Sequence, residues 1–397
     1  MSESSPDESS WTPQDPAVLR DQRAAYDEMR AQCPVAHSDA LGWSVFRHDD
    51  VTAIAGDPRT FSSATRHLAI PNGMDSPDHT VYRQALESHF LPDRLVAFEP
   101  TSRRIARDLL AGLAGRSEAE AIDGFVDPFA HQALCAFMGW PVEDWNRISG
   151  WTHGNQEAAF RRDREAGARL AAEFAGYVTA ILESRRRDAS ASDLMAALVR
   201  TRVHDQPLTN DQIVGLLRTW TAGHGTVASG LGIVIHQLSK DQDLQANLRA
   251  EPGMLDAAIR EILRADGPLV ANNRRPTRDV TIRGRSIAAG EPISMMWIAA
   301  NRDPAAFDDP DRVVVDRDPS SNFLFGTGIH RCLGESLAVL DMKIGLAELL
   351  RGTAAFGLAP SSKPVRHVYP SNGFSELPLL IRPAGSTGRG ASGRTSS

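Results

Sequence analysis

Near its C-terminal end the chain reads Phe325–Gly326–Thr327–Gly328–Ile329–His330–Arg331–Cys332–Leu333–Gly334, three glycines and one cysteine directly ahead of an apolar-periodic stretch, Glu335 to Leu350. Glycine permits left-handed backbone and lets the chain approach a flat ligand closely. A cysteine just before a helix sets its sulfur where unpaired N–H groups and the positive end of the dipole stabilise thiolate. A thiolate held beside a glycine-rich loop suits a single, strongly bound axial metal position. The plainer alternative is a buried cysteine at a turn. Zinc fits His330-x-Cys332 poorly, because no second pair at ligand spacing lies nearby. Cys33 and Cys135 are scattered far from the loop, and three cysteines make no disulfide framework. Their odd number fits a reducing compartment.

Three other segments place chemistry-bearing residues at helical spacing. His79 and Arg83, in MDSPDHTVYRQALESHF, stand one turn apart on a helix expected to start after Pro77. Two cationic donors so placed can clamp an anion, although such a pair alone is commonly solvated surface. Glu261 and Arg264, in AAIREILRADGP, share a helix face at i,i+3, which by itself is an ordinary surface ion pair. Ala222–Gly223–His224–Gly225–Thr226 puts two glycines inside the longest helical stretch, at roughly 1 kcal/mol each relative to alanine. Some contact must offset that cost, and a closely packed neighbouring helix is the simplest.

The Cys332 segment resembles the haem-binding loop of the cytochrome P450 superfamily, F-x-x-G-x-H-x-C-x-G, at every specified position, and the other landmarks follow in family order. The resemblance runs from Asp15 to Ile381 and is of the bacterial soluble type. It implies haem b with Cys332 as axial thiolate, within a loop that includes Phe325 and Gly326 and beneath a helix carrying Gly223. His79, Arg83, Arg274 and His330 would hold the two propionates, with the adjacent Arg275 a competitor for the Arg274 role; two buried negative charges need such compensation. Glu261 and Arg264 look like the family's structural E-x-x-R pair, with Arg312 in DDPDRVVVDR as third member and Asn301–Arg302–Asp303–Pro304 alongside.

Residues 222–226 look like the family's A-G-x-[D/E]-T groove, whose threonine and acid organise water for bound dioxygen. Here Gly225 stands in the acid's place. The resemblance therefore implies a catalytic segment of Thr226, His224 and Gly225, with protons arriving through His224, a side chain of near-neutral pKa, or along water in the space at Gly225; the alternative for His224 is a packed or solvated side chain that faces away. Implied pocket positions are Leu68, Ala69 and Ile70; Ala222; Leu269, Val270 and Ala271; and Phe374, with His67, Asn272 and Asn273 as polar candidates. These mainly apolar positions suit a small apolar or aromatic molecule or a natural-product intermediate.

The implied activity is a haem-thiolate monooxygenase with dioxygen as cosubstrate, hydroxylating, demethylating or epoxidising a small organic molecule. Peroxide-driven or non-oxygenating haem-thiolate chemistry is the alternative that Gly225 raises, and a non-enzymatic haem sensor is a third. No flavin, dinucleotide or iron–sulfur motif is present, so electrons would come from a ferredoxin and its reductase, or from a reductase domain absent from this chain. The docking face would lie behind Cys332, near Arg331.

Positioning these residues calls for a mainly α chain with small β-sheets; the resemblance implies the P450 fold, a triangular helical domain with a minor β region. Periodicity supports helices over Pro16 to Gln32, Asp93 to Leu113, Arg164 to Arg187 and Thr209 to Ser239, the last capped by Thr209 with Gln212. The run Arg185–Arg187 suits a helix C-terminus. Short strands are expected at Trp43 to Arg47, Val280 to Arg283, Glu291 to Trp297 and Leu377 to Ile381. With 397 residues, 42% hydrophobic and 23% charged, the chain is of ordinary soluble composition and long enough to enclose a bulky cofactor. Net charge is -7, from 43 basic and 50 acidic residues, which leaves no electrostatic footprint for nucleic acid. The acidic, serine-rich Met1 to Ser10 does not read as a signal peptide, and Gly230 to Ile235 is far short of the roughly 20 apolar residues of a membrane span. The expected organisation is one domain over residues 11–383 in a cytoplasmic protein. Flanking it would be a disordered residues 1–10 and a Gly/Ser/Arg tail over 384–397, either a plain tail or a linker stump.

Overall fold

In the computed structural model of the chain, residues 11–65, 69–113, 115–367 and 371–383 are described. The expected terminal disorder, the possible linker stump, His67 and Leu68 lie outside them. Among the described residues no helix is long and apolar enough to cross a membrane.

The central element is the helix Asn210–Lys240. It opens with the expected capping box: the Gln212 N–H donates to Thr209 Oγ1 (3.2 Å) and the Thr209 N–H donates to Gln212 Oε1 (2.8 Å). Helices Asp127–Met138, Trp145–Arg161 and Arg164–Arg187 pack against it, as do Leu255–Ala265 and Glu335–Gly352. Phe129, Leu231, Ile262 and Ile344 meet in the resulting core, where each fully buried side chain contributes about 1.5–3 kcal/mol. Glycines set the closest approach to the helix that follows Cys332. A β-carbon on Gly230 would stand 3.1 Å from Met342 Sδ, and one on Gly345 2.9 Å from Leu231 Cδ2.

Arg164–Arg187 matches its expected span, and Pro92–Gly112 differs from the expected one by a single residue at each end. Pro16 to Gln32 does not form one helix: it divides into Pro16–Arg20 and Gln22–Gln32 at Asp21, whose carboxylate caps the second by accepting from the Ala24 N–H. Asp127–Met138 is buried on almost every side, so it carries no apolar stripe for a periodicity search to find.

Strands Val35–Ser38, Gly42–Val45, Ile293–Met296, Ala271–Pro276 and Phe61–Ser62 form, in that order, a five-stranded sheet. Within it Arg274 pairs with Ile293 across an antiparallel ladder. Smaller sheets include one that joins Thr353–Leu358 to Pro378–Pro383.

Between these layers Glu261 and Arg264 form a buried pair. Arg264 Nε and one terminal nitrogen donate to the two Glu261 oxygens at 2.8 and 2.9 Å, and its other terminal nitrogen donates to the carbonyls of Asn301 (2.8 Å) and Pro310 (2.9 Å). The third member is Arg317, not the expected Arg312. Arg317 Nε reaches Glu261 Oε1 at 2.9 Å, whereas Arg312 has an exposed side chain and serves Arg264 through its main-chain carbonyl. The backbone turns after Arg312, so the second arginine of DDPDRVVVDR is the one returned to the carboxylate. Asn301 Oδ1 then accepts from the Phe323 N–H at 2.8 Å, which fixes the chain as it enters the cysteine loop.

Candidate active site

Two of the three loop glycines do what only glycine does readily. Gly326 and Gly328 each have φ +67°, and a β-carbon on Gly328 would stand 2.6 Å from the carbonyl oxygen of Ala55. The Cys332 N–H donates to the Phe325 carbonyl at 2.9 Å, closing the loop, and the Arg260 guanidinium lies 5.4 Å above the Phe325 ring. Cys332 is exposed on the open side of this loop. Contrary to the dipole argument, its thiol is pushed up: desolvation outweighs the help of the Gly334 N–H, Arg83 and Arg331. A coordinated metal ion would deprotonate the thiol outright.

The helix Asp78–Glu87 lies directly against the loop. Arg83 donates to the Arg331 carbonyl at 2.5 Å and to Glu87 at 2.8 Å. His79 meets His330 with ring centroids 4.2 Å apart, and all four ring nitrogens are buried without a protein partner. Arg274 is buried, donates to the neighbouring Asn273 carbonyl (2.8 Å) and forms no ion pair among the described residues. Its competitor Arg275 is exposed and turned to the Gly290 carbonyl. Burial lowers Arg274 below the usual guanidinium range, and burial together with Arg274 and His79 pushes His330 down to about 3. Unpartnered imidazoles beside a buried guanidinium are costly for the protein alone. They fit a group that brings two carboxylates, as a porphyrin with its propionates does.

On the central helix Ala222 and Gly223 are exposed, and Thr226 is half-buried. Thr152 and Thr219 donate to the carbonyls four residues back (3.0 and 3.1 Å). The Thr226 hydroxyl has no protein partner among the described residues and is free for a ligand. Of the two readings of His224, proton carrier or packed side chain, the structure has the second: it is buried, its Nε2 lies 3.2 Å from Asp341 Oδ2, and Asp341 Oδ1 accepts from Ser102 Oγ at 2.9 Å. Gly225 is not open space either, since Thr152 from the adjoining helix fills the position where its β-carbon would be. Asp341, Thr152 and Arg317 left no signal in the sequence, because each matters through a neighbour from a distant segment.

The expected pocket residues divide. Ala222 and Leu269 are exposed, but Val270, next to Leu269, is fully buried against Trp11, Phe46 and Met296. Ile70 is packed in a core cluster with Leu86 and Leu134. Phe374 is held between the His236 ring (4.4 Å) and the Arg366 guanidinium (4.7 Å). These three are core residues. Asn272 and Asn273 accept from Trp297 Nε1 and Ser294 Oγ, each at 2.8 Å. Behind the loop, Arg260, Asn322, Leu324, Phe325, Arg331 and Glu335 line a depression of about 430 Å³. There Glu335 pairs with Arg331 (2.8 and 3.0 Å) and with Arg260 (2.8 Å), and Asp256 also pairs with Arg260 at 2.6 Å.

A family model described as Cytochrome P450 matches residues 156–363. Cyclomarin C epoxidase CymV of Salinispora arenicola is 31% identical over 341 residues, which cover 80% of this chain and 85% of that protein. Vitamin D(3) 25-hydroxylase of Pseudonocardia autotrophica is 30% identical over 380 residues, 90% of this chain and 93% of that one. Among solved structures, CalO2 superposes with a TM-score of 0.84 at 29% identity, over 95% of this chain and 100% of its own. CYP109E1 of Bacillus megaterium in complex with testosterone gives a TM-score of 0.81 at 27% identity, over 91% and 99%. The glycine-rich cysteine loop, the unpartnered imidazoles with a buried guanidinium against it and these likenesses have one meaning: the chain belongs to the cytochrome P450 family, and is a haem-thiolate monooxygenase that uses dioxygen, takes electrons from redox partners and acts on small organic molecules.

Proposed function

We propose that Cys332 is the axial thiolate of a bound haem b, that His79, His330 and Arg274 hold its propionates with Arg83 bracing them, and that Thr226 is the hydroxyl which meets dioxygen. The observation that carries this reading is the pair of imidazoles of His79 and His330, whose ring nitrogens are all buried and unpartnered, His330 being two places from Cys332. When bound, the haem supplies activation of dioxygen and the oxidising power for insertion of oxygen. The chain's own work is to bind, orient and shield. The closing hydrogen bond from Cys332 N–H to Phe325 holds the loop that carries the sulfur, Gly326 and Gly328 let the loop lie close, and the small residues Ala222 and Gly223 leave the surface of the central helix open there. Thr226 offers one donor and two acceptor lone pairs for holding a proton beside the ligand.

Ala222 and Leu269 support a small, mainly apolar substrate. The relatives' names include an epoxidase of cyclomarin C and a hydroxylase of vitamin D(3), which fits bulky natural-product-like molecules equally well. The depression behind the loop supports docking of a ferredoxin served by its reductase, in a cytoplasmic setting. Its edge is more nearly neutral than Arg331 alone suggests, so shape and the apolar Leu324 and Phe325 carry more of that contact than charge does.

A spectral-shift screen against a varied compound library identifies a substrate; turnover under oxygen-18-labelled dioxygen, with a surrogate ferredoxin and reductase, then tests the reaction. One labelled oxygen atom in the product is the expected result. Turnover with peroxide alone and none with the electron couple would favour the peroxygenase reading that Gly225 raises.

A further inference from the structure

Gly225 is buried on the face of the central helix that meets Trp145–Arg161. A β-carbon built there would stand 2.7 Å from Thr152 Cγ2 and 3.3 Å from Gln156 Nε2. The room a side chain at 225 would take is therefore filled from the adjoining helix, by a methyl group and a primary amide. Thr152 brings no polar function to it, since its hydroxyl donates back to Ile148. His224 is turned to Asp341. Gln156 differs from both: its side chain is partly buried, and its amide has no hydrogen-bond partner in the protein among the described residues. A primary amide carries two donors and an acceptor oxygen, so one left half-buried and unpaired binds water. The helix carrying it is tied down close by, through His153 Nε2 to Asp127 Oδ1 at 3.3 Å, with Asp127 also holding Ser149 and His131.

We infer that Gln156 is a positioning residue for proton delivery, holding by its amide the water that serves the Thr226 hydroxyl, in place of the side chain that position 225 lacks. The inference rests on the reading of Thr226 given above. The amide itself neither gains nor loses a proton: the proton enters from solvent, passes along water that Gln156 orients, and reaches the Thr226 oxygen as that hydroxyl gives up its own proton on the ligand side, so that Thr226 ends neutral.

The test uses the haem-loaded full chain and three variants: Gln156→Leu, Gln156→Glu and Thr226→Ala. One readout is the C–O stretching frequency of carbon monoxide bound to the reduced protein, which reports polarity beside the ligand without any turnover. The other is hydrogen peroxide released per NADH oxidised through a surrogate ferredoxin and reductase, in light and heavy water. Gln156→Leu and Thr226→Ala are each expected to shift the stretch, to raise the peroxide share several-fold and to change the solvent isotope effect, while Gln156→Glu stays near the parent. A parental stretch and isotope effect in Gln156→Leu, with both moved in Thr226→Ala, would overturn the assignment of Gln156 alone. If Thr226→Ala moves neither, the role of Thr226 falls first and takes this one with it.

Discussion

Arg274 and His330 converge from two distant segments, a strand of the five-stranded sheet and the cysteine loop, and both lose charge stability there: burial lowers Arg274, and burial with the Arg274 guanidinium pushes His330 down to about 3. Asp75 offsets this only in part, and among the described residues neither group forms an ion pair. The cluster is thus built against the stability of the protein alone and in favour of an anionic ligand.

That opposition gives effects of opposite sign in one variant. Arg274→Leu is expected to raise the urea midpoint of the haem-free protein, because a buried unpaired charge is replaced by an apolar side chain. The same change is expected to weaken haem retention by about 1.5–3 kcal/mol, the worth of a hydrogen bond to a charged group. Haem transfer to apomyoglobin measures the second quantity.

Acid sensitivity follows from the buried histidines. Burial pushes His89 and His236 to about 4 and His330 to about 3, and lowers His79 as well. As pH falls below the ordinary value of about 6.5, the unfolded chain takes up protons at these positions while the folded chain does not. Stability therefore drops toward the folded values, by up to about 1.4 kcal/mol per pH unit for each group. His153 works the other way: Asp127 raises it, so its contribution is complete below the unfolded pKa and is lost as pH rises through the folded one. Urea midpoints between about pH 7.5 and about pH 5 are expected to fall, and His89→Gln is expected to flatten the slope.

The two arginines of DDPDRVVVDR separate cleanly. Arg317→Ala removes a 2.9 Å bond to buried Glu261 and is expected to cost about 1.5–3 kcal/mol. Arg312→Ala, which leaves the carbonyl used by Arg264 in place, is expected to stay within about 0.5 kcal/mol of the parent. Thermal unfolding of the two variants side by side is sufficient.

Restoring an acid at position 225 meets a steric barrier before any chemistry. Gly225→Asp drives its β-carbon into Thr152 Cγ2 and is expected to destabilise by about 1–3 kcal/mol through overpacking. Combined with Thr152→Ala, which deletes that methyl group, Gly225→Asp is expected to recover most of the loss. A double variant no more stable than the sum of its singles would show that the helix contact does not set the identity of residue 225.

What the sequence revealed depended on how local each feature is. The cysteine loop, the Thr209 capping box and the Arg164–Arg187 helix are complete within a short stretch, and residue types alone describe them. Leu269 and Val270 could not both line a pocket, because successive residues on extended backbone face opposite ways; one is 38% exposed and the other fully buried, and nothing local says which. His224 and Gly225 sit one residue apart, yet their surroundings come from Asp341 on one helix and Thr152 and Gln156 on another. Such pairings are set by how the central helix is rotated against its neighbours. Arg317 was hidden for a similar reason, since the irregular backbone after Pro310 obeys no period that would point one arginine inward rather than the other.

The most direct test is the absorption spectrum of the reduced, carbon-monoxide-bound protein, taken for the parent chain and for Cys332→Ser at matched haem content. The parent is expected to show the red-shifted band of a thiolate-ligated haem, and the serine variant to lose it while still binding carbon monoxide. An identical band in both would mean that some other side chain holds the iron, and that the loop from Phe325 to Gly334 serves another purpose.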